Sequence, residues 1–174
     1  KTIGIENGNF FPTAGAAVPD EICEFVHSVG INMLVGYGLT ESTATVSCFL
    51  NQGYEIGSVG TVMPDVEVKI GEENEILLRG KTITKGYYKK AEATAAIDKD
   101  GWFHTGDAGY LKGDQLYLTE RIKDLFKTSN GKYVSPQALE TKLAIDRYID
   151  QIAIIADQRK FVSALIVPVY GFVK

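Results

Sequence analysis

Ile31-Asn32-Met33-Leu34-Val35-Gly36-Tyr37-Gly38-Leu39-Thr40-Glu41-Ser42 is the stretch on which the reading of the fold turns. Its first part, Ile31 to Val35, is an apolar run that reads as a buried strand, so the polar part stands at that strand's C-terminal end. In open α/β sheets ligands bind there. Gly36 and Gly38 would let the backbone approach a ligand, Tyr37 offers a flat ring face, and Thr40, Glu41 and Ser42 add two hydroxyls and a carboxylate. A tight turn with a capping threonine accounts for the same residues without any ligand. From Thr2 to Val68 there is no Lys or Arg, yet eight acidic residues. A phosphate held here would depend on backbone N–H groups, hydroxyls and a carboxylate-held Mg2+.

Working outward, Asn9 to Ala14 reads as a short strand, and Pro19 suits the first turn of a helix. Ile22, Phe25, Val26 and Val29 form a helical stripe, and Gly30 closes it before the Ile31–Val35 strand. Strand, helix, strand implies a parallel pair with a right-handed crossover. From about Gln52 the texture changes. Val66, Val68 and Ile70 alternate with charged residues, Ile76 to Leu78 follow an acidic turn, and Leu116 and Leu118 flank Tyr117 after Gly113-Asp114. Short alternating runs between turns predict a small antiparallel sheet or barrel, with one short helix over Ala91–Ile97. Past Glu120, Asn130-Gly131 signals a hairpin between Leu125–Lys127 and Tyr133-Val134. Ser135 then caps a helix with Pro136 at its first position, running to about Ile145, and strands follow at Ile152–Ile155 and Val162–Val167. The fold class is therefore α/β. Residues 1–51 form a parallel α/β piece, 52–119 a barrel-like antiparallel part, 120–124 a connector and 125–174 a small α+β unit.

A chain of 174 residues, 45% hydrophobic and 23% charged, has the composition of a folded protein that buries a core. It begins at Lys1, and its last apolar run reaches Lys174 without a turn signal, so a fragment of a longer polypeptide is expected. No segment approaches the ~20 apolar residues of a membrane-spanning helix, and nothing resembles a signal peptide. Cys23 and Cys48 lack a metal-ligand spacing and read as reduced core thiols of an intracellular protein, so the expected location is cytoplasmic. Residues 1–119 carry nine basic and sixteen acidic side chains, whereas residues 120–174 carry nine and six, a balance of +3. The second part suits anionic ligands, or simply presents a solvated basic surface.

Two further polar clusters follow. In Trp102-Phe103-His104-Thr105-Gly106-Asp107, a carboxylate just after a Thr-Gly turn can accept both vicinal hydroxyls of a ribose, or serve as an Asx-turn aspartate. Glu120-Arg121-Ile122-Lys123-Asp124 with Lys127-Thr128-Ser129-Asn130-Gly131-Lys132 joins a basic cluster to a glycine turn. It fits forked bonds to hydroxyls or phosphate, or an exposed charged linker. His104 reads as structural, and Tyr87-Tyr88 as packing or interface.

The order and spacing of these clusters resemble the adenylate-forming acyl-CoA synthetases, the superfamily that also holds firefly luciferase and peptide-synthetase adenylation domains. Ala14-Gly15-Ala16-Ala17 is similar to the family's Gly-Gly-Ala adenine loop, and Tyr37-Gly38-Leu39-Thr40-Glu41 to its Tyr-Gly-x-Thr-Glu motif. Glu75-Ile76, Arg79-Gly80 and Gly86-Tyr87-Tyr88 match the loop after its barrel strand. Gly101 to Asp107 and Arg121 to Asp124 complete the set, and Lys127 to Gln137 looks most like the long-chain fatty acid branch. The resemblance implies the end of a large adenylate-forming N-terminal domain followed by part of a small α+β C-terminal domain. It implies that Gly15, Ala16 and Ala17 line the adenine, with Gly36, Tyr37 and Gly38 opposite. Thr40 would bond the α-phosphate, Glu41 hold Mg2+, Asp107 take the ribose hydroxyls and Arg121 support the ribose. Lys123 would be the hinge between half-reactions, and Ser129, Asn130, Gly131 and Lys132 would face the CoA pantetheine.

The implied substrates are ATP, a fatty acid and CoA, with no nucleic-acid partner and with peripheral membrane contact through the lipid. The implied chemistry is acyl-adenylate formation with release of pyrophosphate, then thioester formation. The family's upstream phosphate loop and C-terminal adenylation lysine are missing, so the chain alone is expected to be inactive. Asn130 stands where most relatives have glycine; Asn tolerates positive φ, so the turn should survive with a tighter passage. Two other readings remain: an acyl-AMP ligase or adenylation domain that loads a carrier protein, and a catalytically dead binding module.

Overall fold

The structure, a computed structural model, describes residues 8–50, 55–131 and 133–171, without the side chain of Lys123. Lys132 and the Lys123 side chain, given CoA-binding and hinge roles above, lie outside the described residues. The chain divides into two units, Lys1–Thr119 and Glu120–Lys174.

The first unit opens with β1 (Phe11–Thr13), α1 (Asp20–Ser28) and β2 (Met33–Tyr37). β1 and β2 are parallel, from Phe11 opposite Met33 to Thr13 opposite Val35, so both run out at the same edge. Then come β3 (Ser47–Cys48), β4 (Thr61–Val62), β5 (Val66–Ile70), β6 (Glu75–Gly80), α2 (Ala91–Thr94), β7 (Phe103–Lys112) and β8 (Gln115–Arg121), whose last residues pass into the second unit. One continuous sheet contains them all in the order β1-β2-β3-β4-β8-β7-β6-β5. The parallel and antiparallel parts are therefore not separate layers. β3 joins them, pairing antiparallel with β2 through Gly36–Cys48 and Tyr37–Ser47.

This sheet curls. Four strand spacings separate β2 from β7, about 19 Å on a flat sheet. Yet the Tyr37 hydroxyl reaches Asp107 on β7 at 2.6 Å. Only a curled sheet permits this, and its concave side holds the main core of Tyr37, Val46, Val66, Ile76, Leu78, Phe103 and Leu116. A smaller cluster of Cys23, Val35 and Phe49 lies under α1. Burial pushes the Cys23 thiol up from its ordinary value, aided by Asp20 and Glu24, which suits an inert core thiol.

The Ile31–Val35 strand is Met33–Tyr37, so Gly36 and Tyr37 are ladder residues and not part of a turn. Three of the four stripe residues, Ile22, Phe25 and Val29, are exposed; only Val26 turns inward, because the helix presents its i, i+3, i+4 face of Cys23, Val26 and His27 to the sheet. His27 leans on Phe49 with ring centroids 6.4 Å apart.

The second unit contains β9 (Phe126–Lys127), β10 (Tyr133–Val134), α3 (Pro136–Leu143), β11 (Ile149–Ile155) and β12 (Ser163–Pro168). β9 and β10 form the hairpin, and β11 and β12 pair antiparallel. Gly131 N–H donates to Thr128 O at 2.9 Å, and Gly131 has φ +79. Asn130 is not among the positive-φ residues, which corrects the expectation placed on it. A four-residue turn ending in a left-handed glycine closes the hairpin, so Asn130 needs no unusual φ. Ser135 accepts from Ala138 N–H at 3.4 Å and Pro136 begins α3. Ser135→Ala is expected to lower the stability of this unit by about 1 kcal/mol, read as a lower melting temperature; an unchanged value would show the cap is idle.

Candidate functional site

β2 ends on Tyr37, and the chain must reverse within a few residues to return as β3. Val46 N–H already donates back to Tyr37 O at 2.8 Å. The reversal is a 3-10 turn, Thr40–Ser42. Ser42, fully buried, accepts from Leu39 N–H and donates to Leu39 O, both at 2.9 Å. Thr43 (φ 54) and Ala44 (φ 81) then occupy left-handed conformations that L side chains resist. Ala44 N–H to Leu39 O and Thr43 Oγ1 to Thr82 O, at 3.2 and 2.7 Å, hold them there. Thr40 stands exposed at the tip of this turn, with Glu41 half-buried beside it.

The glycines serve the fold more than a ligand. A Cβ on Gly38 would collide with the Ala44 carbonyl, and one on Gly36 would press on Ser47 O at 3.1 Å. Tyr37 likewise offers no open ring face; it is 8% exposed within the core, and what it presents is its hydroxyl, donated to Asp107 Oδ2.

Asp107 does not follow a turn, as the sequence reading had it, but lies inside β7. Along β6, Glu75 faces Ala108 and Leu77 faces His104, so β7 carries extra residues at Thr105-Gly106-Asp107. This is a bulge, a common device for re-aiming a side chain. Side chains replace the missing rungs: Glu75 Oε1 accepts from Gly106 N–H at 2.9 Å, and Thr105 Oγ1 donates to Ile76 O at 2.8 Å. Gly106 takes φ +76. The other Glu75 oxygen meets His104 Nδ1 at 2.7 Å.

A third element reaches the same place. Thr84, in the segment after β6, donates its N–H to Glu41 O at 2.7 Å. Tyr87 donates its hydroxyl to Glu41 Oε1 at 2.5 Å. Tyr87 had been read as packing or interface, and it belongs instead to the Glu41 environment. Tyr88 is the solvent-facing member, 87% exposed. The hydrogen bond to Glu41, then burial and the carboxylate's charge, push the Tyr87 phenol above its ordinary value. The neutral phenol is thus favoured at every pH below the ordinary tyrosine range, and that contribution is lost only as pH climbs through the raised value.

Gly15 (φ +89), Ala16 and Ala17 form the exposed loop after β1, at the edge where β2 also ends. The structure thus brings Tyr37 to Asp107, and Thr84 and Tyr87 to Glu41, four residues after Tyr37. Arg121 belongs by the division of the chain to the second unit, where it pairs with Asp124 at 3.7 Å. Ser129, Asn130 and Gly131 occupy the β9–β10 hairpin, with Ser129 N–H donating to Arg159 O at 3.0 Å.

A short parallel pair feeding a curled antiparallel sheet, with hydroxyls and carboxylates gathered at the strand ends, is the architecture of adenylate-forming ligases. The AMP-binding enzyme family matches residues 9–88, a little under half of the chain. It is 34% identical over 155 residues, 88% of its length, to the long-chain-fatty-acid–CoA ligase FadD15 of Mycobacterium bovis. It is 37% identical over 166 residues, 91% of its length, to the long-chain-fatty-acid–CoA ligase ACSBG1 of Mus musculus. The chain spans only 26% and 23% of those two proteins. Among solved structures it is similar to the O-succinylbenzoate coenzyme A synthetase of Bacillus subtilis in complex with ATP and magnesium ion. That likeness has TM-score 0.79 and 25% identity over 91% of this chain and 36% of that one.

Proposed function

We propose that this chain is the nucleotide- and metal-handling part of an ATP-dependent long-chain fatty acid–CoA ligase. The observation that carries the reading is convergence: Tyr37 with Asp107, and Glu41 with Tyr87, pair across segments 70 and 46 residues apart. Asp107, aimed by its bulge, would accept the ribose hydroxyls, with Arg121 supporting the ribose. Gly15, Ala16 and Ala17 would border the adenine with Gly36, Tyr37 and Gly38 opposite, Tyr37 acting chiefly through its hold on Asp107. Thr40, exposed at the turn tip, would donate to the α-phosphate. Residues 1–51, 52–119 and 125–174 would be the α/β piece, the barrel-like part and the small domain. Residues 120–124, with Lys123, would form the hinge, and Ser129 to Lys132 would face CoA.

Glu41 fits Mg2+. It is a hard oxygen donor, oriented by a phenol, in a stretch without Lys or Arg. Among the described residues no group of three or more His, Cys, Asp or Glu could hold an ion. Glu41 would therefore share the ion with phosphates and water, the usual arrangement for Mg2+. When bound, the ion neutralises charge developing on the phosphates.

The fatty carboxylate would attack the α-phosphorus, breaking its bond to the bridging oxygen, releasing pyrophosphate and leaving the acyl-adenylate. CoA thiolate would then attack the acyl carbonyl, with AMP leaving. The chain's own part is positional and electrostatic: donors and carboxylates already set where charge builds. Among the described residues no helix is long and apolar enough to cross a membrane. We place the protein in the cytoplasm, meeting membranes peripherally through its lipid substrate.

The test is fatty-acid-dependent ATP–pyrophosphate exchange by the intact protein, followed by thioester formation on adding CoA. Exchange with acyl transfer only to a carrier protein would favour a carrier-loading enzyme, and no exchange with any carboxylate would favour a binding module. The 174-residue chain by itself, a quarter of its relatives' length, is expected to show none.

A further inference from the structure

The segment after β6 is laced to the Thr40–Ser42 turn at three points. Thr82 O accepts from Thr43 Oγ1, Thr84 N–H donates to Glu41 O, and the Tyr87 hydroxyl donates to the Glu41 carboxylate. Tyr87 is braced from behind as well. Its N–H donates to Thr94 Oγ1 at 3.0 Å, and that hydroxyl donates onward to Lys90 O at 2.9 Å, the residue preceding α2. Thr84 Oγ1 closes the intervening bend by donating to Gly86 O at 3.0 Å. The phenol is thus delivered to one carboxylate oxygen by a segment fixed on both sides.

We infer that Tyr87 is a positioning residue for the metal-holding carboxylate: its hydroxyl sets the plane of the Glu41 carboxylate and thereby the affinity for the divalent ion that accompanies ATP. The inference rests on the reading of Glu41 as the Mg2+ ligand. The phenol occupies one side of Glu41 Oε1 and so limits how the carboxylate can turn. A carboxylate has about four lone-pair sites, so accepting one phenol is compatible with holding an ion. Partners that orient a metal ligand typically account for 10–100-fold in metal affinity. Tyr88, one residue on, faces solvent with Lys89 Nζ 5.3 Å from its ring centroid, so the assignment is specific to Tyr87.

The test uses the intact protein and Mn2+ as the probe, its free concentration read by electron paramagnetic resonance at saturating ATP. Tyr87→Phe is expected to raise the Mn2+ dissociation constant about tenfold or more. Metal-free ATP affinity and the melting temperature should stay close to wild type, and excess metal should restore exchange. A double variant with Glu41→Gln should be no weaker than Glu41→Gln alone. Tighter Mn2+ binding in Tyr87→Phe would mean that the phenol competes with the ion and would overturn the inference. So would a fall in melting temperature with unchanged Mn2+ affinity. If Glu41→Gln itself leaves Mn2+ affinity unchanged, the reading of Glu41 fails; if it weakens Mn2+ while Tyr87→Phe does not, only the role of Tyr87 falls.

Discussion

Gly38→Ala is expected to abolish measurable ATP binding by the intact protein and to lower its stability by at least about 2 kcal/mol. The added Cβ would lie inside the Ala44 carbonyl, with Thr45 Cα also close. These are backbone atoms, so no side chain can rotate away. The carbonyl would have to retreat by about 2 Å to regain ordinary contact. Ala44 is also tied to Leu39 O through its N–H, and that bond closes the turn displaying Thr40 and Glu41. Misplacement of a positioned group by only about 1 Å can cost a hundredfold in rate. Equilibrium dialysis with ATP and a thermal melt would check both halves. Wild-type binding by the variant would mean that the turn does not position the nucleotide.

Asp107→Ala should raise the KM for ATP by about a hundredfold. Two hydrogen bonds from ribose hydroxyls to a carboxylate are worth about 1.5–3 kcal/mol each, part of which water recovers in the variant. About 2.7 kcal/mol net corresponds to that hundredfold. The diagnostic reading is discrimination: the intact protein should prefer ATP to 2′-deoxy-ATP, and the variant should lose that preference. The Tyr37 hydroxyl would also lose the acceptor at 2.6 Å, so a modest drop in melting temperature should accompany the kinetic change. A variant that still discriminates against the deoxynucleotide would remove Asp107 from the ribose.

Elements with a strong local signal were readable from sequence. Val66, Val68 and Ile70 alternate because one side of β5 meets the core, and Ser135 with Pro136 marks the start of α3 for reasons held within one turn of chain. β7 was hidden because Thr105-Gly106 has the composition of a turn. Its strand survives there only because Glu75 and Thr105 supply side-chain bonds in place of rungs, and that exchange involves residues 31 and 29 positions apart. β3 and β4, two residues each, are too short for any periodicity. Thr40, Glu41 and Asp107 could be singled out by chemistry and motif order. Tyr87 could not be given its partner, because two adjacent tyrosines look alike until the fold turns one toward Glu41.

The sheet has a waist. Its ladders are short there: β3 and β4 meet through two pairs of residues, and β4 meets β8 through one, Thr61 with Gln115, supported by backbone bonds from Val59 N–H to Leu116 O, Leu116 N–H to Gly60 O and Val62 N–H to Asp114 O. Glu41 and Tyr37 lie on one side of that waist along the chain of strands, Asp107 and Tyr87 on the other. The two side-chain bonds that join them turn an unclosed ribbon into a ring, with the waist opposite the clasp. A molecule gripped at once by Thr40 and Asp107 would add a further tie to the clasp. Catching a nucleotide and stiffening the domain would then be one mechanical event.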